Sequence, residues 1–238
     1  MTKPALFLDR DGVINVDHGY VCKPYDFHFV EGIFELVAAA NRAGYLVLVV
    51  TNQAGIGRGY YSVEGFLRLS EWMCDRLIVE GAPIADVFYC PFHPEHGVGD
   101  CKIDSFDRKP NPGMLLHAAN VHGIDMKRSI MIGDKDSDMQ AALNAGVGIR
   151  RHYLAGTDGA IPSIAATHRI YSLSRLLKYF ESQRGVIEKS SWQLDKGYFS
   201  RLRKEFRVPR NAVAIDLIND SKARKQYFNS LLERAFPC

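Results

Sequence analysis

No run of apolar residues in this 238-residue chain approaches the ~20 that a membrane-spanning helix needs. A secretory leader is not expected either, since the opening "MTKPALFLDRDG" reaches Asp9, Arg10 and Asp11 almost at once. Net charge is scarce: the formal value of +3 is too small to argue for a nucleic-acid partner. The five cysteines, Cys22, Cys74, Cys90, Cys101 and Cys238, are odd in number and irregular in spacing. They do not read as a disulfide framework, and reduced thiols in a cytoplasmic protein are the expectation. No membrane partner is expected, and the sequence does not reveal an oligomeric state. What remains is ordinary globular material: 47% hydrophobic and 24% charged residues can build a core without staples.

The first 180 residues alternate between two kinds of segment. Short apolar runs at 5–9, 45–52, 85–90, 129–134 and 147–151 read as strands buried on both faces, with 168–173 as a further candidate. Helical periodicity fills 31–43, 63–80, 111–122 and 136–145, and 174–183 closes the series. Gly44, Gly81, Gly123 and Gly146 stand where a helix ends in a left-handed residue. The alternation predicts an α/β fold of Rossmann-like type, a parallel sheet with helices on both faces. No insertion between the segments is long enough for a large cap. Residues 91–110 form a long Pro-containing connection of the kind that usually carries function. Composition shifts near residue 183. The expected division is a domain at 1–183 and a mostly helical, Lys- and Arg-rich C-terminal appendage at 184–238, whose role the sequence does not state.

In an open parallel sheet, ligands bind beyond the carboxyl ends of the strands. Asp9, Thr51, Asn52 and Asp134 all stand at such ends, and Asp11 follows Asp9 by two residues. Acids sharing one rim repel each other unless a cation joins them, and hard oxygen donors suit Mg²⁺. One such carboxylate can attack phosphorus while another moves a proton. Arg108 and Lys109, within "DRKPNPGM", offer cations for a phosphoryl group, and "QAGIGRG" (53–59) reads as a glycine-rich loop that lets backbone approach an anion. Taken singly these signals are weak: D-x-D is commonly a solvated turn, and "GDKDSD" a helix cap. Their order along the chain, each at a strand end, is what makes the case.

That ordered set resembles the haloacid dehalogenase (HAD) superfamily of phosphohydrolases over about residues 5–180. The resemblance implies Asp9 as nucleophile, Asp11 as general acid and then base, and Thr51 and Lys109 as phosphoryl-binding groups. It also implies a magnesium ion held by Asp9, the Asp11 backbone carbonyl and Asp134, with Asp138 as a supporting acid. The stretches "FLDRDGVIN", "DHGYV", "TNQAGIGRGYY", "RKPNPGM" and "IGDKDSDMQAA" are similar to a branch of sugar-bisphosphate phosphatases acting on heptoses, beside the histidinol-phosphate phosphatases. In that branch, substrate contacts would fall to Asp17, His18, Gly19, Tyr20, Asn52, Gln53, Ala54, Arg108 and Lys135, with Arg108 gripping the distal phosphate. The implied partner is a small sugar bisphosphate. A catalytically silent binding module and a phosphotransferase are the rival readings.

The sequence departs from the branch in its long loop. A structural zinc is often held there by Cys-x-His and Cys-x-Cys, but the positions here read Cys90-Pro91-Phe92 and Ser105-Phe106-Asp107. Structural zinc is therefore not expected. A rearranged site of Cys90, His93, His96 and Cys101 is the alternative, and apolar packing of Phe92 and Phe106 would otherwise hold the loop.

Overall fold

The computed structural model describes residues 2–156 and 161–183. The expected appendage at 184–238 lies outside the described residues. Six strands form one sheet: β1 (Ala5–Leu8), β2 (Leu46–Asn52), β3 (Asp86–Cys90), β4 (Ile130–Gly133), β5 (Ile149–Tyr153) and β6 (His168–Ile170). Their order is β3-β2-β1-β4-β5-β6, and every pairing is parallel.

The helices are α1 (Ile33–Arg42), α2 (Ala54–Gly57), α3 (Val63–Val79), α4 (Gly113–His122), α5 (Asp136–Asn144) and α6 (Leu177–Ser182). The chain steps outward from β1 through α1 to β2 and through α3 to β3. It then crosses back through α4 to β4 and runs outward the other way through α5 to β5. Right-handed crossovers in opposite directions place their helices on opposite faces, so α1 and α3 cover one side and α4 and α5 the other. Among the described residues no helix is long and apolar enough to cross a membrane.

The strands form where they do because both faces are covered. All of β1 is buried, and so is β2 as far as Thr51. Ala5, Leu6, Phe7 and Leu8 are each 0% exposed; burial of each larger side chain contributes ~1.5–3 kcal/mol. The helices bury one stripe each, Ile33, Leu36, Val37 and Ala40 in α1 and Phe66, Met73 and Leu77 in α3. Ser62 caps α3 by accepting from the Gly65 N–H. Gly44, Gly81, Gly123 and Gly146 all take positive φ just after helices, as expected.

Several segments differ from the sequence reading by a residue or more, and three of the differences have a visible form. β5 starts two residues later than expected, because Gly148 donates its N–H to the Met126 carbonyl instead of joining the ladder. β6 stops at Ile170, and the chain turns into a 3₁₀ segment at Leu173–Leu176. The expected glycine-rich loop at 53–59 contains the short helix α2. No inserted domain interrupts the described elements. β1 therefore stands at the centre, flanked by β2 and β4, where the winding direction reverses. The ends of these three strands carry the site.

Candidate active site

Asp9 follows β1, Thr51 lies near the end of β2, and Asp134 follows β4. The switch in winding direction thus brings three chain-distant residues to one rim. Lys109 reaches them from the loop before α4. It is 3% exposed, and its ammonium lies 2.9 Å from Asp9 Oδ1 and 2.6 Å from Asp138 Oδ1. It also donates to the Val50 carbonyl at 2.9 Å. Burial opposes the Lys109 charge, but Asp138 and Asp9 outweigh it and hold the pKa above the ordinary lysine value.

The position of Lys109 is fixed by Asn52. Asn52 Nδ2 donates to the Lys109 carbonyl at 2.9 Å, and the Lys109 N–H donates back to Asn52 Oδ1 at 3.1 Å. The Lys109–Pro110 peptide bond is cis. Asp138 serves twice, pairing with Lys109 and accepting the Lys135 N–H at the start of α5 at 3.0 Å.

Asp9, Asp134 and Asp138 each offer one carboxylate oxygen, all within 4.8 Å of one another. Among the described residues no other set of three or more such ligands gathers in this way. Three carboxylates face one buried ammonium, so negative charge is in excess. Asp134 shows the strain of this: burial and the neighbouring Asp9 push its pKa up to about 7. Asp9 is raised as well, by burial, with Lys109 pulling it back. Asp134 Oδ1 is buried without a hydrogen-bond partner, an atom that a cation would satisfy. The donors are all hard oxygens, with no ring nitrogen or sulfur among them, which fits Mg²⁺ rather than a softer ion. Gly12 makes the close approach possible. Its φ is +92°, and a Cβ there would lie 2.3 Å from Asp134 Oδ2.

Asp11 stands apart from this cluster. Arg10 grips both its oxygens at 2.9 Å, Asn15 Nδ2 donates to Oδ1 at 3.1 Å, and Gln53 Nε2 donates to Oδ2 at 3.0 Å. Arg10 is itself 1% exposed and ties the 17–21 segment down through the Val21 carbonyl. Gln53 Nε2 also donates to Thr51 Oγ1 at 2.8 Å. A hydroxyl that accepts from an amide keeps its own proton for another acceptor.

A cleft of about 650 Å³ opens above these groups. Of the candidate substrate residues, Asp17, Gly19, Tyr20, Asn52, Ala54, Arg108 and Lys135 line it, together with the catalytic candidates Asp9, Asp11, Thr51 and Lys109. Asp17 and Lys135 bridge its mouth at 3.0 Å. Although burial works against it, the Asp17 carboxyl is held below its ordinary value by the Gly19 N–H and Lys135. Tyr20 has φ +54° and stands edge-on to Tyr60, with the Arg58 guanidinium 5.6 Å from its ring centroid. Arg108 donates to the Phe92 carbonyl at 3.0 Å. Besides the metal candidate Asp134, two candidate substrate residues fall outside the cleft lining. His18 packs edge-on against His28, and Gln53 lies beneath the rim, 1% exposed.

Among the described residues, those of the long loop gather no set of three or more metal ligands. Cys90 and Cys101 are free and buried. Burial pushes the Cys90 thiol up to about 12 and raises Cys101 too. His93 turns Nδ1 to the backbone N–H groups of Glu95 and His96. Phe92 is buried and anchors the loop as expected, but Phe106 is 46% exposed and does not. Phe106 points outward because its neighbours Ser105 and Asp107 take the inward positions.

Arg10, Asn15 and Tyr61 escaped the sequence reading. Arg10 lies between two acids and Asn15 follows Asp11 by four residues, but those spacings acquire meaning only once the turn at Gly12 folds them together. Tyr61 lies ten residues beyond Thr51 and donates to Gln53 Oε1 at 2.6 Å.

The chain is similar to known proteins. The HAD-hydrolase-like family model matches residues 106–149. A D-glycero-alpha-D-manno-heptose-1,7-bisphosphate 7-phosphatase from Burkholderia mallei is 58% identical over 148 residues, 62% of this chain and 78% of that protein. A D-glycero-beta-D-manno-heptose-1,7-bisphosphate 7-phosphatase from Vibrio cholerae is 53% identical, covering 63% of this chain and 81% of its own length. Among solved structures, the D,D-heptose 1,7-bisphosphate phosphatase from B. bronchiseptica, complexed with magnesium and phosphate, superposes with a TM-score of 0.64. It is 27% identical, and the match covers 76% of this chain and 99% of that one.

Proposed function

The chain belongs to the heptose-1,7-bisphosphate 7-phosphatase family of HAD-like phosphoric monoester hydrolases, and on that premise we propose that it is magnesium-dependent and removes the C7 phosphate of D-glycero-D-manno-heptose 1,7-bisphosphate through an aspartyl-phosphate on Asp9. The observation that carries this reading is the Lys109 ammonium held between Asp9 and Asp138, beside the unsatisfied Oδ1 of Asp134. It supports a site built for a group that brings both a cation and negative oxygens.

In this reading Asp9 attacks phosphorus as the bond from phosphorus to the sugar oxygen breaks. Asp11 gives that oxygen its proton. Asp11 then takes a proton from water, which attacks the phosphorus, releases inorganic phosphate and restores Asp9. Lys109 and the free hydroxyl proton of Thr51 meet the phosphoryl oxygens and offset their growing charge. Magnesium, held by Asp9, Asp134 and the Asp11 carbonyl with Asp138 in support, would neutralise phosphoryl charge when bound. Asp17, Gly19, Tyr20 and Lys135 at the cleft mouth would meet the sugar, and Arg108 the distal phosphate. A guanidinium fits that role because it meets two phosphate oxygens at once.

The test is phosphate release from a panel of both heptose 1,7-bisphosphate anomers and histidinol phosphate, with and without magnesium. Release from a heptose bisphosphate that vanishes without magnesium is expected. Preference for histidinol phosphate, or turnover unaffected by chelation, would overturn the assignment.

A further inference from the structure

The stretch "TNQAGIGRGYY" holds two residues that the chemistry above leaves without a role, Gln53 and Tyr61. Gln53 is 1% exposed, and all of its side-chain polar atoms are engaged. Its Nε2 donates to both Thr51 Oγ1 and Asp11 Oδ2, at 2.8 and 3.0 Å, while its Oε1 accepts from the Tyr61 hydroxyl at 2.6 Å. A side-chain amide can point either way round, and the choice matters here. Inverted, it would set Oε1 against the Asp11 carboxylate, oxygen facing oxygen. The phenol reinforces the orientation seen here, because it gives Oε1 a donor while Nε2 faces the two acceptors.

Two features keep Tyr61 in that office. Burial is the main reason its phenol pKa stands above the ordinary value, so it remains a donor at any working pH. Gly55 leaves the slot that the ring occupies: a Cβ at Gly55 would lie 2.4 Å from Tyr61 Cε1. Gln53, Gly55 and Tyr61 are thus one unit, and it ends on Asp11.

We propose that Tyr61 is a positioning residue for Asp11, acting through the Gln53 amide. The inference rests on the reading of Asp11 as the group that protonates the leaving oxygen. A displaced carboxyl would fail chiefly where the leaving group needs a proton. A sugar oxygen needs one, whereas p-nitrophenolate leaves without.

The test compares kcat/KM for p-nitrophenyl phosphate with that for the best sugar phosphate of the panel, in the full chain with magnesium. This ratio reports events through departure of the leaving group, so the later role of Asp11 toward water does not enter. Tyr61→Phe is expected to lose about tenfold on the sugar phosphate and under about threefold on the aryl phosphate, since small misplacements of catalytic groups act on this scale. Gln53→Leu also releases Thr51, so some loss on both substrates is expected, but the larger loss should again fall on the sugar phosphate, and the double variant should be no worse than Gln53→Leu alone. Should Tyr61→Phe fail to fold, Gln53→Leu carries the same comparison. Equal losses on both substrates, or no loss on the sugar phosphate, would overturn the proposal. Asp11→Asn separates the two levels of inference. If it too fails to discriminate between the substrates, the role given to Asp11 is wrong and the proposal falls with it. If it discriminates and Tyr61→Phe does not, the positioning role alone is wrong.

Discussion

Asn52 and Lys109 hold each other by two hydrogen bonds, from the Asn52 amide to the Lys109 carbonyl and from the Lys109 N–H back to the Asn52 side-chain oxygen. The residue at the end of β2 thereby sets where the Lys109 ammonium enters the carboxylate cluster. The sequence suggests Asn52 as a direct contact to substrate. The structure adds a second task for its side chain, which also lines the cleft.

Replacing Asn52 should therefore injure turnover more than binding. Asn52→Ala is expected to lower kcat by about tenfold to a hundredfold, the scale of a misplaced charge stabiliser, with KM changed little. It should also cost ~1–3 kcal/mol of stability, because the part-buried Lys109 backbone groups lose their partners. Steady-state kinetics and denaturant melts check both. A large rise in KM at unchanged kcat would return Asn52 to the substrate.

Among the described residues, Lys109 is the one buried cation paired with the carboxylates Asp9 and Asp138. Lys109→Met is expected to lower kcat/KM by at least about a hundredfold. Removing one partner of a buried ion pair should also destabilise the fold by ~3–5 kcal/mol. Added magnesium should recover part of that stability but none of the activity. A thermal melt and a kinetic assay of one preparation distinguish the two effects.

Stability should depend on pH in a direction unusual for a carboxylate. Asp134 has its pKa raised from 3.8 to about 7 by burial and by Asp9, so the folded state binds this proton more tightly than the unfolded state does. Its contribution is fully present at low pH and is lost as pH rises from about 4 through about 7. Metal-free protein should therefore melt at a lower temperature at pH 7.5 than at pH 5.5. Magnesium should erase the difference by favouring the ionised form. A melting temperature that rises over this range without metal would contradict the charge arrangement described.

The Cys90 loop should stand without zinc. Metal analysis is expected to find less than stoichiometric zinc, and chelation should leave the melting temperature unchanged. Phe92, buried at the start of the loop, supplies the anchor instead. Stoichiometric zinc that is lost in Cys90→Ser would show that Cys90, His93, His96 and Cys101 rearrange around a metal.

Much of this architecture is legible in the sequence for a simple reason. Strands covered on both faces must be short apolar runs, and helices between them must end, so Ala5–Leu8, Leu46–Asn52 and the glycines after the helices announce themselves. The strand-end acids follow, because the switch point converts sequence position into a shared rim. The partnerships are not legible. Arg10 reads as one more charge until the Gly12 turn folds it onto Asp11. Nothing in "TNQ" says that Asn52 turns to Lys109 while Gln53 turns to Asp11. His18 belongs to the expected substrate segment yet packs on His28, a contact between two residues whose spacing carries no periodic signal.

The most direct measurement is mass spectrometry of enzyme quenched in acid during turnover of the sugar bisphosphate with magnesium. A phosphoryl group on the peptide containing Asp9, absent in Asp9→Asn and in enzyme stripped of magnesium, is the predicted result. Rapid turnover with no phosphorylated peptide at any quench time, or a phosphoryl group on another residue, would contradict it.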